Sequence, residues 1–443
     1  MAKEKYLFRN VDKELLIWKD NPRRKVLLLR GARQVGKSSA VRHLAKQFKY
    51  YLEINFEDVE EKIISLFEPG VSPQEICKKL SVATGVPIVV GETLLFLDEI
   101  QRCLPALSKL RFFYEKMPDL HLVAAGSLLE FALEEIPSFA VGRVTSLFMY
   151  PFSFEEFLYA MGKGMWAEAI QEASPGNPIF ESVHKELLKL LKIFMLTGGM
   201  PEVVAEYVAT ENILDCQMII ASLLVSLRSD FAKYRKRIPA TRINEVFDSV
   251  AHQADGKFVY EHAAVGTGNK QVKQALDLLI MAGLAYPVTH TSSNGIPLGA
   301  EVNTKFKRMF LFDTGLFQHI LGLNLTDILF AEDFKSVNNG ALAEVFVAHE
   351  LVKNSSCYSP VSLYCWQREN RNGNAQVDFL IQKSDKILPI EVKAGNQGAM
   401  QSLHLFMKEK NSEYGIRTSL ENFAEYDKIK VYPLYAIGNL IRN

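Results

Sequence analysis

Two stretches of this chain carry residue types at spacings suited to phosphate chemistry. Near the start, Gly31-Ala32-Arg33-Gln34-Val35-Gly36-Lys37-Ser38-Ser39 has the spacing Gly-x4-Gly-Lys-Ser. Its glycines permit a tight backbone path. Successive N–H groups can then wrap phosphate oxygens at the positive end of a following helix. Lys37 would reach the β- and γ-phosphates of ATP, and Ser38 would ligate Mg2+. Near the end, "QVDFLIQKSDKILPIEVKAG" carries Asp378, then Glu391 and Lys393. Two carboxylates and an ammonium brought together can hold Mg2+ and polarise a water beside a scissile phosphate.

The first site needs a strand before it and a helix after it. Val26 to Leu29 is a short apolar run of the kind buried on both faces of a parallel sheet, and Val41, Leu44 and Ala45 follow at helical spacing. A second apolar run, Leu94 to Leu97, ends in Asp98-Glu99. An acid at that strand end can hold Mg2+ through water, and the next acid can orient or deprotonate the attacking water. Tyr50 to Asp58 reads as a further strand. "HLVAAGSLLEF" reads as another, ending at Ser127. The Ser127 hydroxyl suits either contact with the γ-phosphate or the lytic water, or a helix N-cap. Arg143 precedes the strand-like stretch 144–150. Its two readings are a solvated arginine and a cation that stabilises transition-state charge, in cis or across subunits.

The second site needs a hairpin. Residues 376–382 and 387–394 alternate with period two around "KSDK". A two-residue turn at Ser384-Asp385 would pair Lys383 with Lys386 and, in the same register, Asp378 with Glu391. Lys393 shares that sheet face. Upstream, "NNGALAEVFVAHELVKN" reads as a helix that carries Glu344.

Lys plus Arg and Asp plus Glu both number 51, so no global basicity points to nucleic acid, and a local patch would have to supply it. One candidate is the basic run Arg228, Lys233, Arg235, Lys236, Arg237 and Arg242. The stretches 240–254, 259–266 and 269–285 read as three helices, with "YPVTH" and "RMFLFD" as a wing. That pattern looks like a winged helix-turn-helix, with Lys270 and Lys273 outward on the third helix and the region 228–275 facing DNA. Cys77, Cys103, Cys216, Cys357 and Cys365 are scattered, which reads as reduced thiols rather than a disulfide frame or a zinc site. The N-terminus lacks an apolar signal core, and no apolar run reaches membrane-spanning length. The expectation is a cytoplasmic protein with no membrane partner.

The motifs "GARQVGKS", "LDEIQR", "GS" after a third strand and "GRV…PFSFEEF" resemble the AAA-type branch of P-loop ATPases, in its prokaryotic group. "GGMPE" (198–202) is similar to a Gly-Gly-x-Pro in that group's helical lid. This resemblance covers roughly residues 1–225. It implies ATP and Mg2+ as cofactors in a mostly parallel α/β sheet, followed by a helical lid. From about residue 226 the chain resembles the domain of unknown function that commonly follows these ATPases. That domain combines a winged helix with an α/β restriction-endonuclease-like fold. The resemblance gives Glu344, Asp378, Glu391 and Lys393 the metal-site roles, although Gln376 stands where relatives often have an acid. The expected division is 1–160 ATPase core, 161–225 lid, 226–322 winged helix and 323–443 nuclease-like domain. Three activities stay open: an ATPase acting on DNA or a partner protein, an ATP-gated Mg2+-dependent DNA endonuclease, and a non-catalytic nucleotide switch. An oligomer is required only if Arg143 acts across subunits.

Overall fold

The computed structural model describes residues 6–442 apart from 128, 135, 137–141, 235–237, 265, 267, 324–338, 369–374 and 396–399. The chain forms two compact units. One comprises residues 1–150 with 356–360, and the other comprises 151–355 with 361–443. The break after Tyr150 falls ten residues before the expected end of the ATPase core, and the helices expected as a lid belong to the second unit.

The first unit is built on five strands: β1 (Val26–Arg30), β2 (Tyr50–Asn55), β3 (Thr93–Asp98), β4 (His121–Ala125) and β5 (Val144–Phe148). All are parallel, in the order β2-β3-β4-β1-β5. Helices cover the sheet, so β1, β3 and β4 are apolar along their length and almost wholly buried. Leu28, Leu52, Leu95, Leu97 and Leu122 pack with Phe67, Ile76 and Leu110 in one core. In an all-parallel sheet every C-terminal strand end lies on one edge. The loops after β1, β3 and β4 therefore converge there, the usual place for a ligand. Residues 356–360 complete this unit. The Phe148 N–H donates to the Cys357 carbonyl at 2.7 Å, and the Tyr358 hydroxyl donates to Glu14 at 2.6 Å.

The second unit begins with helices, among them Phe154–Ala160, Glu181–Thr197, Pro201–Thr210 and Ile213–Asp230. Ser153 starts the first with a capping box to Glu156. The sheet that follows has eight strands: β6 (Ala285–Thr291), β7 (Val302–Leu311), β8 (Leu363–Gln367), β9 (Gln376–Lys383), β10 (Lys386–Val392), β11 (Gly415–Ser419), β12 (Ala424–Tyr426) and β13 (Ile429–Pro433). Their order is β12-β13-β11-β10-β9-β8-β6-β7.

This order changes the expected modules. The two wing segments do pair, with Tyr286 opposite Phe310 and Val288 opposite Arg308. The other edge of β6 pairs with β8, Val288 beside Leu363. The expected wing and the expected nuclease-like strands thus form one sheet, and no sheet boundary follows residue 322. A strand with a pairing-competent second edge does not reveal in its sequence whether that edge is filled. Asn269 opens the helix Asn269–Met281 as its first residue, and Gly268 is the N-cap. Of the basic run, Arg228 pairs with Asp248 at 2.5 Å and Arg242 pairs with Glu245. Arg235, Lys236, Arg237 and the side chain of Lys233 lie outside the described residues.

The Gly198-Gly199 pair has a packing role inside the second unit. The fully buried Asp313 carboxylate accepts the N–H groups of Gly199 (2.6 Å), Gly315 (2.9 Å) and Leu316 (3.1 Å). A Cβ on Gly198 would lie 2.1 Å from Asp313 Oδ1, and one on Gly199 would lie 2.3 Å from the Phe152 carbonyl oxygen. Asp313→Ala strands three buried donors, at about 1–3 kcal/mol each. We expect it to lower the unfolding free energy of the second unit by roughly 3 kcal/mol or more. Denaturant titration checks this, and an unchanged midpoint would contradict the assigned role.

Among the described residues no helix is long and apolar enough to cross a membrane. The five cysteines are free thiols, four of them buried.

Candidate functional site

The loop from Gly31 to Gly36 joins β1 to the helix Lys37–Ala45. Gly31 has φ 142°, and a Cβ there would sit 2.1 Å from the Met149 carbonyl oxygen. Gly36, at φ 92°, is the left-handed N-cap of the helix. These two positions need glycine, for close approach and for backbone sign respectively. Gln34, between them, also has positive φ, at 61°. Positive φ at these three positions gives a backbone path of the kind that can turn N–H groups toward an anion.

Lys37 is buried. Its ammonium donates to the Gly31 carbonyl at 2.9 Å and the Ala32 carbonyl at 2.6 Å. Burial pushes the Lys37 pKa down to about 8, opposed by the nearby Glu99 and Asp98 carboxylates. The Ser38 hydroxyl donates to Asp98 Oδ2 at 2.7 Å, which joins the β1 loop to the end of β3 across a sheet in which β4 lies between them. Burial raises the Asp98 pKa, and Glu99 adds to the rise. The Ser38 hydroxyl and the Glu99 N–H lower it.

Glu99 follows with φ 48° and ψ 40°, a left-handed conformation for a non-glycine residue. Such strain persists where the surroundings hold it, often at working sites. Its N–H donates to Asp98 Oδ1 at 3.0 Å, and the Gln101 amide donates to its carboxylate. Ser127 follows β4, whose Ala125 pairs with Leu29 of β1. It thus lies on the edge between the Gly31–Ser38 loop and Asp98. Ser127 Oγ and Gln101 Oε1 are buried without a hydrogen-bond partner among the described residues.

Arg143 is elsewhere. The parallel register sets Val144 beside Val26 and Phe148 beside Arg30, so Arg143 precedes β5 at the edge opposite the loop. The length of β5, about 16 Å for extended residues, separates it from that edge. Its guanidinium pairs with Glu115 at 3.2 Å. Stabilisation of transition-state charge in cis is corrected by this register, and a role on phosphate would require a second copy of the chain.

Sequence reasoning passed over two positioning side chains. Arg9 is buried, donating to the Val35 carbonyl at 3.0 Å and the Tyr150 carbonyl at 2.7 Å, so it braces the loop from outside. Gln101 orients Glu99. Arg9 gave no local signal, because its partners are 26 and 141 residues away. Gln101 was visible in "LDEIQR", two residues beyond Glu99.

In the second unit the hairpin has the expected register, with Lys383 opposite Lys386 and Phe379 opposite Ile390. Asp378 and Glu391 follow in that register. Asp378 Oδ2 accepts the Val392 N–H at 2.8 Å, and Lys393 donates to Glu391 Oε1 at 2.7 Å. The helix Asn339–Lys353 brings in Glu344. A fifth member, Arg308 of β7, pairs with Glu344 and lies 3.6 Å from Asp378 Oδ1. Burial works against its charge, and Glu344 and Asp378 together hold its pKa above the usual value. Burial, reinforced by Asp378, pushes Glu344 up to about 8 and Glu391 up to about 7. Burial also raises Asp378, while Arg308 lowers it.

Residues 23–158 match the family described as an AAA domain. This part of the chain is similar to the P-loop domains of AAA-type ATPases. Residues 188–327 and 339–437 match two domains of unknown function, DUF8612 and DUF4143. No curated protein matches the chain. Among solved structures it is similar to the Walker-type ATPase PABY2304 of Pyrococcus abyssi, at 15% identity, with 72% of this chain and 97% of that one covered and a TM-score of 0.47. Drosophila ORC bound to DNA matches at 15% identity, over 73% and 89% of the chains, with a TM-score of 0.26. The STAND protein PH0952 of Pyrococcus horikoshii matches at 13% identity, over 79% and 46%, with a TM-score of 0.26. At these scores the structures add nothing to the AAA-domain match.

The AAA-domain residues fit a Mg2+–nucleotide. A hydroxyl and a carboxylate meet at 2.7 Å, and two buried polar atoms along the same edge lack partners among the described residues. Gly31→Ala should disrupt that fit. The new Cβ meets a backbone carbonyl, and the conformation alone costs about 1–3 kcal/mol. We expect a lowered melting temperature of the ATPase unit and at least roughly tenfold weaker ATP binding. Calorimetry and a binding titration check both, and wild-type values in each would contradict the packing described.

Proposed function

We propose that the chain binds ATP on Gly31 to Ser39 and hydrolyses it with Mg2+. The cycle acts on DNA or a partner protein through the part of the chain beyond Tyr150. The contact between Ser38 and Asp98 carries this reading, because it unites two motifs from separate strands at one strand edge. Lys37 would leave its two loop carbonyls for the β- and γ-phosphates. Ser38 and Asp98 would hold Mg2+, which supplies neutralising charge at the phosphates. Glu99, held by Gln101, would orient a water and take its proton. Ser127 would offer its hydroxyl to the terminal phosphate or to that water.

The free thiols suit a reducing cytoplasm. The DNA-facing part of the proposal rests on Lys270 and Lys273, which the helix Asn269–Met281 presents to solvent. The test is phosphate release by the full chain with Mg2+-ATP, with EDTA, and with or without duplex DNA. Release that needs Mg2+ supports hydrolysis, and a change with DNA supports DNA as the target. Release at the buffer background in every arm would overturn hydrolysis.

A further inference from the structure

The carboxylate cluster of the second unit has the outline of a metal-dependent nuclease site, and it already contains a cation. We propose that the Arg308 guanidinium takes the place of the divalent ion among Glu344, Asp378 and Glu391, so that the cluster is a metal-free, salt-bridged centre.

The oxygens show why. Arg308 is 1% exposed and faces both Glu344 Oε2 and Asp378 Oδ1. The other Asp378 oxygen accepts the Val392 N–H. Glu391 Oε1 is taken by Lys393. Glu391 Oε2 is buried without a partner among the described residues. Mg2+ requires near-octahedral oxygen ligation at short distance and loses its waters reluctantly. With Glu344 Oε2, Asp378 Oδ2 and Glu391 Oε1 engaged and Asp378 Oδ1 facing Arg308, the cluster does not offer the set of free oxygens that this requirement asks for. Among the described residues no group of three or more His, Cys, Asp or Glu is arranged to hold a metal ion.

Charge points the same way. Three carboxylates meet Arg308 and Lys393, so the two cations already offset most of the negative charge and leave a net charge of one negative when all three are ionised. A divalent ion on Asp378 would be forced against a guanidinium that also touches that carboxylate. Arginine does not give up its proton in proteins, so this repulsion cannot be relieved by titration. The guanidinium is also held in place, because Arg308 Nη2 donates to the Ala254 carbonyl at 3.3 Å. Removing the arginine would leave buried carboxylates that lack their counter-charge, the condition that favours capture of a metal.

The experiment is a Mn2+ titration of the full chain without nucleotide, with free Mn2+ read by electron paramagnetic resonance. Wild type, Asp378→Asn and Glu391→Gln should give superimposable isotherms, because any weak binding at the phosphate loop is common to all. Arg308→Met, shown to be folded by its melting curve, should gain one site at least tenfold tighter than that background. The double variant Arg308→Met/Asp378→Asn should lose it. A tight wild-type site that Asp378→Asn abolishes would overturn the proposal, as would a folded Arg308→Met with no gain. If Arg308→Met does not fold, the wild-type comparison with Asp378→Asn and Glu391→Gln decides. None of these arms uses ATP, so the outcome is independent of the ATPase reading.

Discussion

Glu99→Gln should bind ATP as tightly as the wild type and turn it over about 100- to 10,000-fold more slowly, the range that a positioned general base contributes. The side chain keeps its size and its hydrogen bond with Gln101, so the loop and the Ser38–Asp98 contact stay intact. What it loses is the ability to take a proton from water. The left-handed backbone at Glu99 strengthens the case, since a residue held at φ 48° is being aimed by its surroundings. Binding by calorimetry and single-turnover phosphate release separate the two effects. Unchanged release would remove Glu99 from the chemistry. Lost binding would make it a loop-stabilising residue instead.

Lys37→Ala should fail earlier, at binding. In the free protein the ammonium is buried against two loop carbonyls, and burial has already pushed its pKa down to about 8. A phosphate chain offers that ammonium stronger, charge-assisted partners. Two such hydrogen bonds at about 1.5–3 kcal/mol each correspond to a loss of roughly 100- to 10,000-fold in affinity. A fluorescent ATP analogue measures it. The melting curve shows whether the truncated loop still folds. A wild-type dissociation constant would contradict the placement of the phosphates.

The features that depended on neighbours in sequence were legible. The Gly31–Ser38 loop lies between its strand and helix because turn, cap and apolar spacing are written within about fifteen residues. The register of β9 with β10 follows from a two-residue turn, because period-two alternation and turn length leave one pairing that buries the apolar set. Asp98 and Ser127 were found because buried parallel strands are continuous apolar runs whose ends can be read.

The missed features depend on contacts between distant segments. Arg308 meets Glu344 and Asp378 from 36 and 70 positions away, and the sheet order alone places β7 three strands from β9. Arg9 looked like one charge among several at the N-terminus, and its burial comes from Val35 and Tyr150. The wing segments paired as expected, but an alternating strand does not show that its second edge is filled. Arg143 was placed by its distance in sequence from β5, and which end of a parallel strand meets the ligand is decided by the neighbouring strands. Gly198 and Gly199 were visible as a motif, whereas their partner Asp313 lies over a hundred residues on.

On the proposed reading, the edge formed by Lys37, Ser38, Asp98 and Glu99 hydrolyses ATP. The most direct test is steady-state phosphate release from saturating Mg2+-ATP by the full-length wild type beside Lys37→Ala, at equal concentrations of folded protein. The wild type should release phosphate steadily, and Lys37→Ala should release it only at the buffer background. Equal rates in the two proteins would contradict it.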